Sequence, residues 1–113
     1  MKILIIDDEK AIRRALREIL EFEECQVEEA EDGKVGLDLL QKQQYDLIFC
    51  DIKMPVVDGL DVLSKAVKLN IDTPIIMISG HGNIETAVQA IKDGAFDFIE
   101  KPLDLNRILV TLR

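Results

Sequence analysis

Ile3-Leu4-Ile5-Ile6-Asp7-Asp8-Glu9 decides the fold: four large apolar side chains in unbroken succession run straight into three acids. Successive side chains of a strand point to opposite faces, so such a run is stable only where both faces are covered. Strands buried on both sides are typical of parallel sheets, and parallel strands need a crossover between them, usually a helix. The next residues supply one. Ile12, Ala15, Leu16, Ile19 and Leu20 fall at the offsets that line one helical face.

The same alternation continues outward to the end of the chain. Strands are predicted over residues 2–7, 25–30, 46–50, 75–79 and 96–100, with 25–30 the most polar and therefore at an edge. Between them come a short helix from Val35 to Leu40 opened by Asp32-Gly33, a thin stripe of Leu60, Leu63 and Val67, and the fuller stripe Ile84, Ala87, Val88 and Ile91. Leu105, Ile108, Leu109 and Leu112 close the series, and Gly94 stands after Lys92-Asp93 where a helix ends. Strict alternation predicts an α/β fold: a doubly wound five-stranded parallel sheet with helices on both faces, flavodoxin-like if the strand order is 2-1-3-4-5. The 113 residues make one domain. Its last helical pattern still runs at Leu112-Arg113, so residues 1–113 are expected to be the N-terminal part of a longer protein.

The apolar runs are far too short to span a bilayer, and the N-terminus lacks the order of a signal peptide. A cytoplasmic protein without membrane contact is the expectation. Asp and Glu outnumber Lys and Arg by 22 to 14, a net charge of -8 that repels phosphate backbones and argues against direct nucleic-acid contact. Cys25 and Cys50 fall inside predicted strands and lack metal-ligand spacing, so both are expected as buried free thiols.

Chemistry gathers where the predicted strands end. The first ends in Asp7-Asp8, the third leads into Asp51, the fourth ends in Ser79, and the fifth leads into Lys101-Pro102. Ligands of open parallel sheets bind beyond the carboxyl ends of the strands, at the point where the winding reverses. With the order 2-1-3-4-5, Asp7, Asp8 and Asp51 face one another across that crevice. Carboxylates brought together repel, and a hard dication such as Mg2+, with Mn2+ as its substitute, relieves them and accepts phosphate oxygens as further ligands. Asp51 can then attack phosphorus in line to form an acyl phosphate, with Lys101 supplying charge and Ser79 a hydroxyl to the phosphoryl oxygens.

Each residue alone has a plainer reading. Asp7-Asp8-Glu9 could cap the following helix, Lys101 could be a solvated lysine, and Asp51 and Ser79 ordinary strand-end residues. Their joint placement on separate strand ends of one sheet is what favours a site.

Ile3-Leu4-Ile5-Ile6-Asp7-Asp8-Glu9, Asp51-Ile52-Lys53-Met54-Pro55 with Asp58-Gly59, Ser79-Gly80 and Lys101-Pro102 together resemble the response-regulator receiver domain of bacterial two-component systems. The resemblance covers essentially the whole chain in order and spacing. It implies a signalling switch rather than a turnover enzyme, one that catalyses its own phosphorylation and dephosphorylation. Asp51 matches the phospho-acceptor. Asp8 and Asp51 match the direct Mg2+ ligands, Asp7 a ligand through water, and the backbone carbonyl of Lys53 a further ligand. Lys101 matches the invariant lysine, and Lys101-Pro102 a bond that is typically cis. Ser79 and Phe98 match the switch pair, with Phe98 where many members carry Tyr and Ser79 where Thr is frequent. The implied partners are a sensor histidine kinase, an output module absent from these residues, and a second copy meeting through the last two helices and last strand. The stretch from Ser79 to Pro102 further resembles receivers of the NtrC type, which precede an ATPase module activating sigma-54 RNA polymerase. His81, the single histidine, reads as a solvated loop residue, or with Lys53 as a rim group that tunes hydrolysis.

Three other readings compete. A metal-dependent phosphohydrolase with an aspartyl-phosphate intermediate would want its nucleophile after the first strand, and a cap domain. A flavodoxin-like cofactor binder would want glycine and hydroxyl groups where Asp7-Asp8-Glu9 stand. A docking-only receiver would lack an active-site residue, and none is missing.

Overall fold

The computed structural model describes residues 1–80 and 84–112. Five strands alternate with five helices: β1 (Lys2–Ile6), α1 (Lys10–Phe22), β2 (Gln26–Ala30), α2 (Gly33–Lys42), β3 (Leu47–Asp51), α3 (Gly59–Lys68), β4 (Ile75–Ser79), α4 (Ile84–Lys92), β5 (Asp97–Glu100) and α5 (Leu105–Thr111). The strands form a single parallel sheet in the order β2-β1-β3-β4-β5, the expected doubly wound arrangement. Polar β2 is indeed an edge strand.

The sheet separates two apolar clusters. On one face Leu4, Ile6, Ile48, Cys50 and Met77 pack beneath α2, α3 and α4 through Leu37, Leu40, Val62, Leu63, Ala66 and Ala90. On the other, Ile3, Ile5, Phe49, Ile76 and Ile78 pack beneath α1 and α5 through Leu16, Leu20 and Ile108. The unbroken apolar strands are thereby explained, each strand feeding alternate side chains to the two layers. Helix starts follow local chemistry: the carboxylates of Asp32 and Asp58 accept hydrogen bonds from Val35 N and Asp61 N at 2.8 and 2.9 Å. At the end of α4, Gly94 adopts φ +119°, and Ala95 N donates to Ala90 O, satisfying a terminal carbonyl.

Several expectations need correction: on α3 Val67 is exposed while Val62, Leu63 and Ala66 are buried, and on α5 Leu105 is exposed while Ile108 is buried. The stripe Ile84, Val88 and Ile91 does not face the sheet; these side chains are exposed, and Ala87 and Ala90 are the buried residues of α4. Small residues let the helix lie close to the strands, which leaves its bulky apolar row outside. Cys25 stands just before β2 and is only partly buried, whereas Cys50 is fully enclosed; both are free thiols. Burial pushes the Cys50 thiol strongly up, so it stays protonated and inert. Among the described residues no helix is long and apolar enough to cross a membrane.

Candidate functional site

Sheet register brings the strand ends to one level. Ile6 is paired with Cys50, so Asp7 and Asp51 emerge side by side; Asp51 is paired with Ile78, and Ser79 with Glu100, so Ser79 and Lys101 follow one step further on. The carboxylates of Asp7, Asp8, Glu9 and Asp51 each offer an oxygen, all within 4.8 Å of one another. Asp7 and Asp51 are buried while Asp8 and Glu9 stand open to solvent, as a pocket with a floor and a mouth requires.

Lys101 reaches into this group from the β5–α5 connection. Its Nζ lies 3.0 Å from Glu9 Oε1, 3.5 Å from Asp51 Oδ2 and 4.0 Å from Asp7 Oδ2. Removal from water pushes the Asp7 carboxyl up to about 6, with neighbouring Asp51 adding to the rise against the hydrogen bond from Glu9 N. Asp51 is raised for the same first reason, opposed by the Lys101 ammonium. For Lys101, partial burial works against the charge, but the bond to Glu9 and the fields of Asp51 and Asp7 outweigh it and hold the ammonium firmly protonated.

The capping reading of the acidic triplet fails on geometry. Glu9 is the N-cap of α1 and makes no side-chain cap bond. Asp7 Oδ1 accepts from Glu9 N at 2.8 Å, while Asp7 Oδ2 is buried without a hydrogen-bond partner among the described residues. An orphaned carboxylate oxygen beside two further acids is costly by itself and is the donor set a hard dication satisfies. The residues therefore fit Mg2+.

The β3–α3 loop closes the site. Ile52 N donates to Ile78 O at 3.0 Å, extending the β3–β4 ladder, and Gly59 N donates to Ile52 O at 2.7 Å. A Cβ on Gly59 would stand 2.2 Å from Asp51 O, so only glycine allows the loop to return this closely. Lys53 is exposed within this loop, and Val56, wholly exposed, takes φ +67°. Ser79 is buried, and its carbonyl accepts from Lys101 N at 2.8 Å, tying the fourth strand to the lysine. Phe98 is half-buried against the α2–α3–α4 layer and paired in register with Met77, two residues before Ser79. The Lys101-Pro102 peptide bond is cis. His81, Gly82 and Asn83 lie outside the described residues, and so does any role for His81.

Reading by sequence overlooked two groups. Glu9 holds the ammonium of Lys101, a role hidden because a third acid after Asp7-Asp8 looks like a helix-start residue. Arg13 donates to Asp7 O at 2.7 Å from the first turn of α1, and nothing in its sequence context distinguishes it from Arg14.

A five-stranded doubly wound sheet with a buried aspartate at its switch point, flanked by acids and a lysine, defines a flavodoxin-like domain with an acidic pocket beyond its strand ends. Residues 3–113 match the family model described as the response regulator receiver domain, and the chain belongs to that family. It is 44% identical over 110 residues to the nitrogen assimilation regulatory protein NtrX of Azorhizobium caulinodans, covering 96% of this chain and 24% of the relative. It is 36% identical to the C4-dicarboxylate transport transcriptional regulatory protein DctD of Pseudomonas aeruginosa, covering 99% of this chain and 24% of the relative. The chain thus spans about a quarter of the length of these relatives. The receiver domain of NtrX from Brucella abortus superposes with a TM-score of 0.92 at 41% identity, covering 97% of this chain and 93% of that one. The chemotaxis protein CheY4 of Vibrio cholerae superposes with a TM-score of 0.90 at 30% identity, covering 98% and 94%. The NtrC-type likeness read from the fourth and fifth strands accords with NtrX and DctD standing among the relatives. The chain is a two-component signalling receiver.

Proposed function

We propose that this receiver takes a phosphoryl group onto Asp51 from a phosphohistidine of a sensor histidine kinase. The observation that carries the reading is the Lys101 ammonium set 3.5 Å from the buried Asp51 carboxylate, inside a ring of three further acids. Asp8, Asp51 and the Lys53 carbonyl would hold Mg2+ directly, and Asp7 through water. Bound there, the ion neutralises the acids and offers phosphoryl oxygens a counter-charge.

Asp51 in its anionic form attacks phosphorus, the P–N bond of the donor breaks, and its electron pair leaves with the imidazole nitrogen, which takes up a proton. Lys101 exchanges Glu9 for a phosphoryl oxygen. Ser79 donates its hydroxyl to another, and Phe98, on the neighbouring strand and the same face, turns into the space released. Water later attacks the phosphorus of the acyl phosphate, the P–O bond to the carboxyl breaks, and inorganic phosphate leaves with the Asp51 carboxylate restored. The domain is a cytoplasmic switch that catalyses its own phosphorylation and dephosphorylation, not a turnover enzyme.

The altered surface is the one made by α4, β5 and α5. Ile84, Val88 and Ile91 on α4 and Val110 on α5 are exposed apolar side chains, which suits that face to a second copy or to an output module. Names such as NtrX and DctD favour a transcriptional output of the sigma-54 kind within a longer regulator, of which residues 1–113 form the N-terminal receiver.

Incubation with Mg2+ and a small phosphodonor, followed by intact mass and peptide mapping, tests the reading. One phosphoryl group should appear on the peptide containing Asp51 and be absent from Asp51→Ala. Equal labelling of the variant would overturn it.

A further inference from the structure

The acids of the site hang from a corner of chain that is fastened to β2. Asp7 N donates to Ala30 O at 3.1 Å, and Asp7 O accepts from Arg13 Nη1 at 2.7 Å. The same guanidinium donates through Nε to Glu29 Oε1 at 3.0 Å. Both backbone polar groups of Asp7 are therefore anchored on the last two residues of β2, one directly and one through Arg13. The following peptide is held further by the bond from Glu9 N to Asp7 Oδ1, by Lys101 on the Glu9 carboxylate and by the bond from Arg13 N to Glu9 O, and α1 begins without a side-chain cap.

The guanidinium of Arg13 is well sheltered, with its side chain 14% exposed, so its hydrogen bonds compete little with water. Glu29 is shared: Arg17 Nη1 stands 2.5 Å from its other oxygen, and Arg17 also donates to Val27 O at 3.2 Å. Partial burial alone would raise the Glu29 carboxyl, but the bonds from Arg17 and Arg13 outweigh it and keep it ionised. Arg17 belongs to the same network and the same helix face, yet makes no bond to Asp7.

We propose that Arg13, braced by Glu29, is a positioning residue for the acid pair: it fixes the Asp7-Asp8 peptide so that both carboxylates aim into the pocket. The inference rests on those acids forming the metal site. A guanidinium suits the task because one planar group serves two acceptors at once, the Asp7 carbonyl and the Glu29 carboxylate. Partners that orient metal ligands commonly change affinity by about 10- to 100-fold when removed.

The test uses the 113-residue protein, titrated with Mn2+ and followed by the paramagnetic resonance of the free ion, beside thermal unfolding and amide exchange of the metal-free forms. Arg13→Ala should weaken Mn2+ binding by at least about 10-fold and speed exchange at the Asp8 and Glu9 amides. Arg13→Lys should recover part of the affinity. Arg17→Ala should lower the unfolding midpoint yet keep Mn2+ affinity within about 2-fold, well short of the loss expected for a ligand-orienting partner. Should Arg13→Ala fold poorly, Glu29→Gln weakens the same brace with its size preserved and should show the same split. Wild-type affinity in the Arg13 and Glu29 variants, or an equal loss in Arg17→Ala, overturns the positioning role while leaving the metal site intact. Failure of the unaltered protein to bind Mn2+ overturns the metal site, and the positioning role with it.

Discussion

The Nζ of Lys101 lies 3.5 Å from Oδ2 of Asp51, although fifty positions separate them in the chain. That distance is set by the register of β3, β4 and β5 together with the bond from Lys101 N to Ser79 O. The ammonium offsets much of the repulsion that Asp51 meets from neighbouring acids, and the proposed transfer assigns it to the phosphoryl oxygens.

Replacing Lys101 by methionine keeps the stem and removes the charge. Loss of a charge-assisted hydrogen bond worth about 2 kcal/mol in the transition state predicts a roughly 30-fold slower labelling by a small phosphodonor. Quenched time courses read by intact mass check this. A rate within about 2-fold of the unaltered protein would assign Lys101 no part in the transfer.

Asp7 supplies a pH signature. Its carboxyl ionises at 3.8 when free and at about 6 in the fold, so the folded state holds the proton longer than the unfolded one. No penalty exists below 3.8; it grows as pH rises, and is complete above about 6. An elevation of this size corresponds to about 3 kcal/mol at neutral pH. Glu29, held below its ordinary range, acts oppositely and loses its stabilisation as pH falls. The informative quantity is therefore a difference: in metal-free protein, Asp7→Asn should gain stability over the unaltered chain progressively from pH 4 to pH 7, by roughly 3 kcal/mol at the upper end. Denaturant titrations at several pH values measure it, and a difference that stays constant across the range would mean that ionisation of buried Asp7 is not its source.

Gly59 leaves no room for a methyl group, because the contact at 2.2 Å is with the backbone oxygen of Asp51. Gly59→Ala should destabilise the domain by about 3 kcal/mol and slow phosphorylation, since relief of the clash moves the acceptor strand itself. Chemical denaturation with phosphodonor kinetics on the same variant separates the two effects.

Val56 presents the opposite case. A β-branched side chain at φ +67° is strained, and full exposure gives it no packing in return. Val56→Gly should raise stability by about 1 kcal/mol with small-donor phosphorylation unchanged. A loss of stability would show that the loop draws support from the valine.

Much of this architecture is legible in the chain. Uninterrupted runs such as Ile3 to Ile6 report burial on both faces, and acids or hydroxyls at their ends report a crevice, because both follow from the local geometry of strands. The buried face of α4 is not legible in the same way, because periodicity marks an apolar row without saying whether a neighbouring row of small residues lies closer to the sheet. Ala87 and Ala90 take that place, since a methyl permits near approach and an isoleucine does not. Cys25, placed by its pattern inside the second strand, stands one residue before the observed β2, enough to bring it toward solvent. Glu9 meets a partner 92 residues away, and Arg13 joins Asp7, 6 residues away, to Glu29, 16 residues away, so no local pattern encodes either role.

The sheet also works as a partition wall. Its two apolar clusters have no buried side chain in common, and they meet only through the strand backbones, which hand alternate side chains to each. The aspartates and the lysine sit at the tips of those same backbones, at the edge of both compartments. A charge placed at that rim therefore lies against both compartments at once.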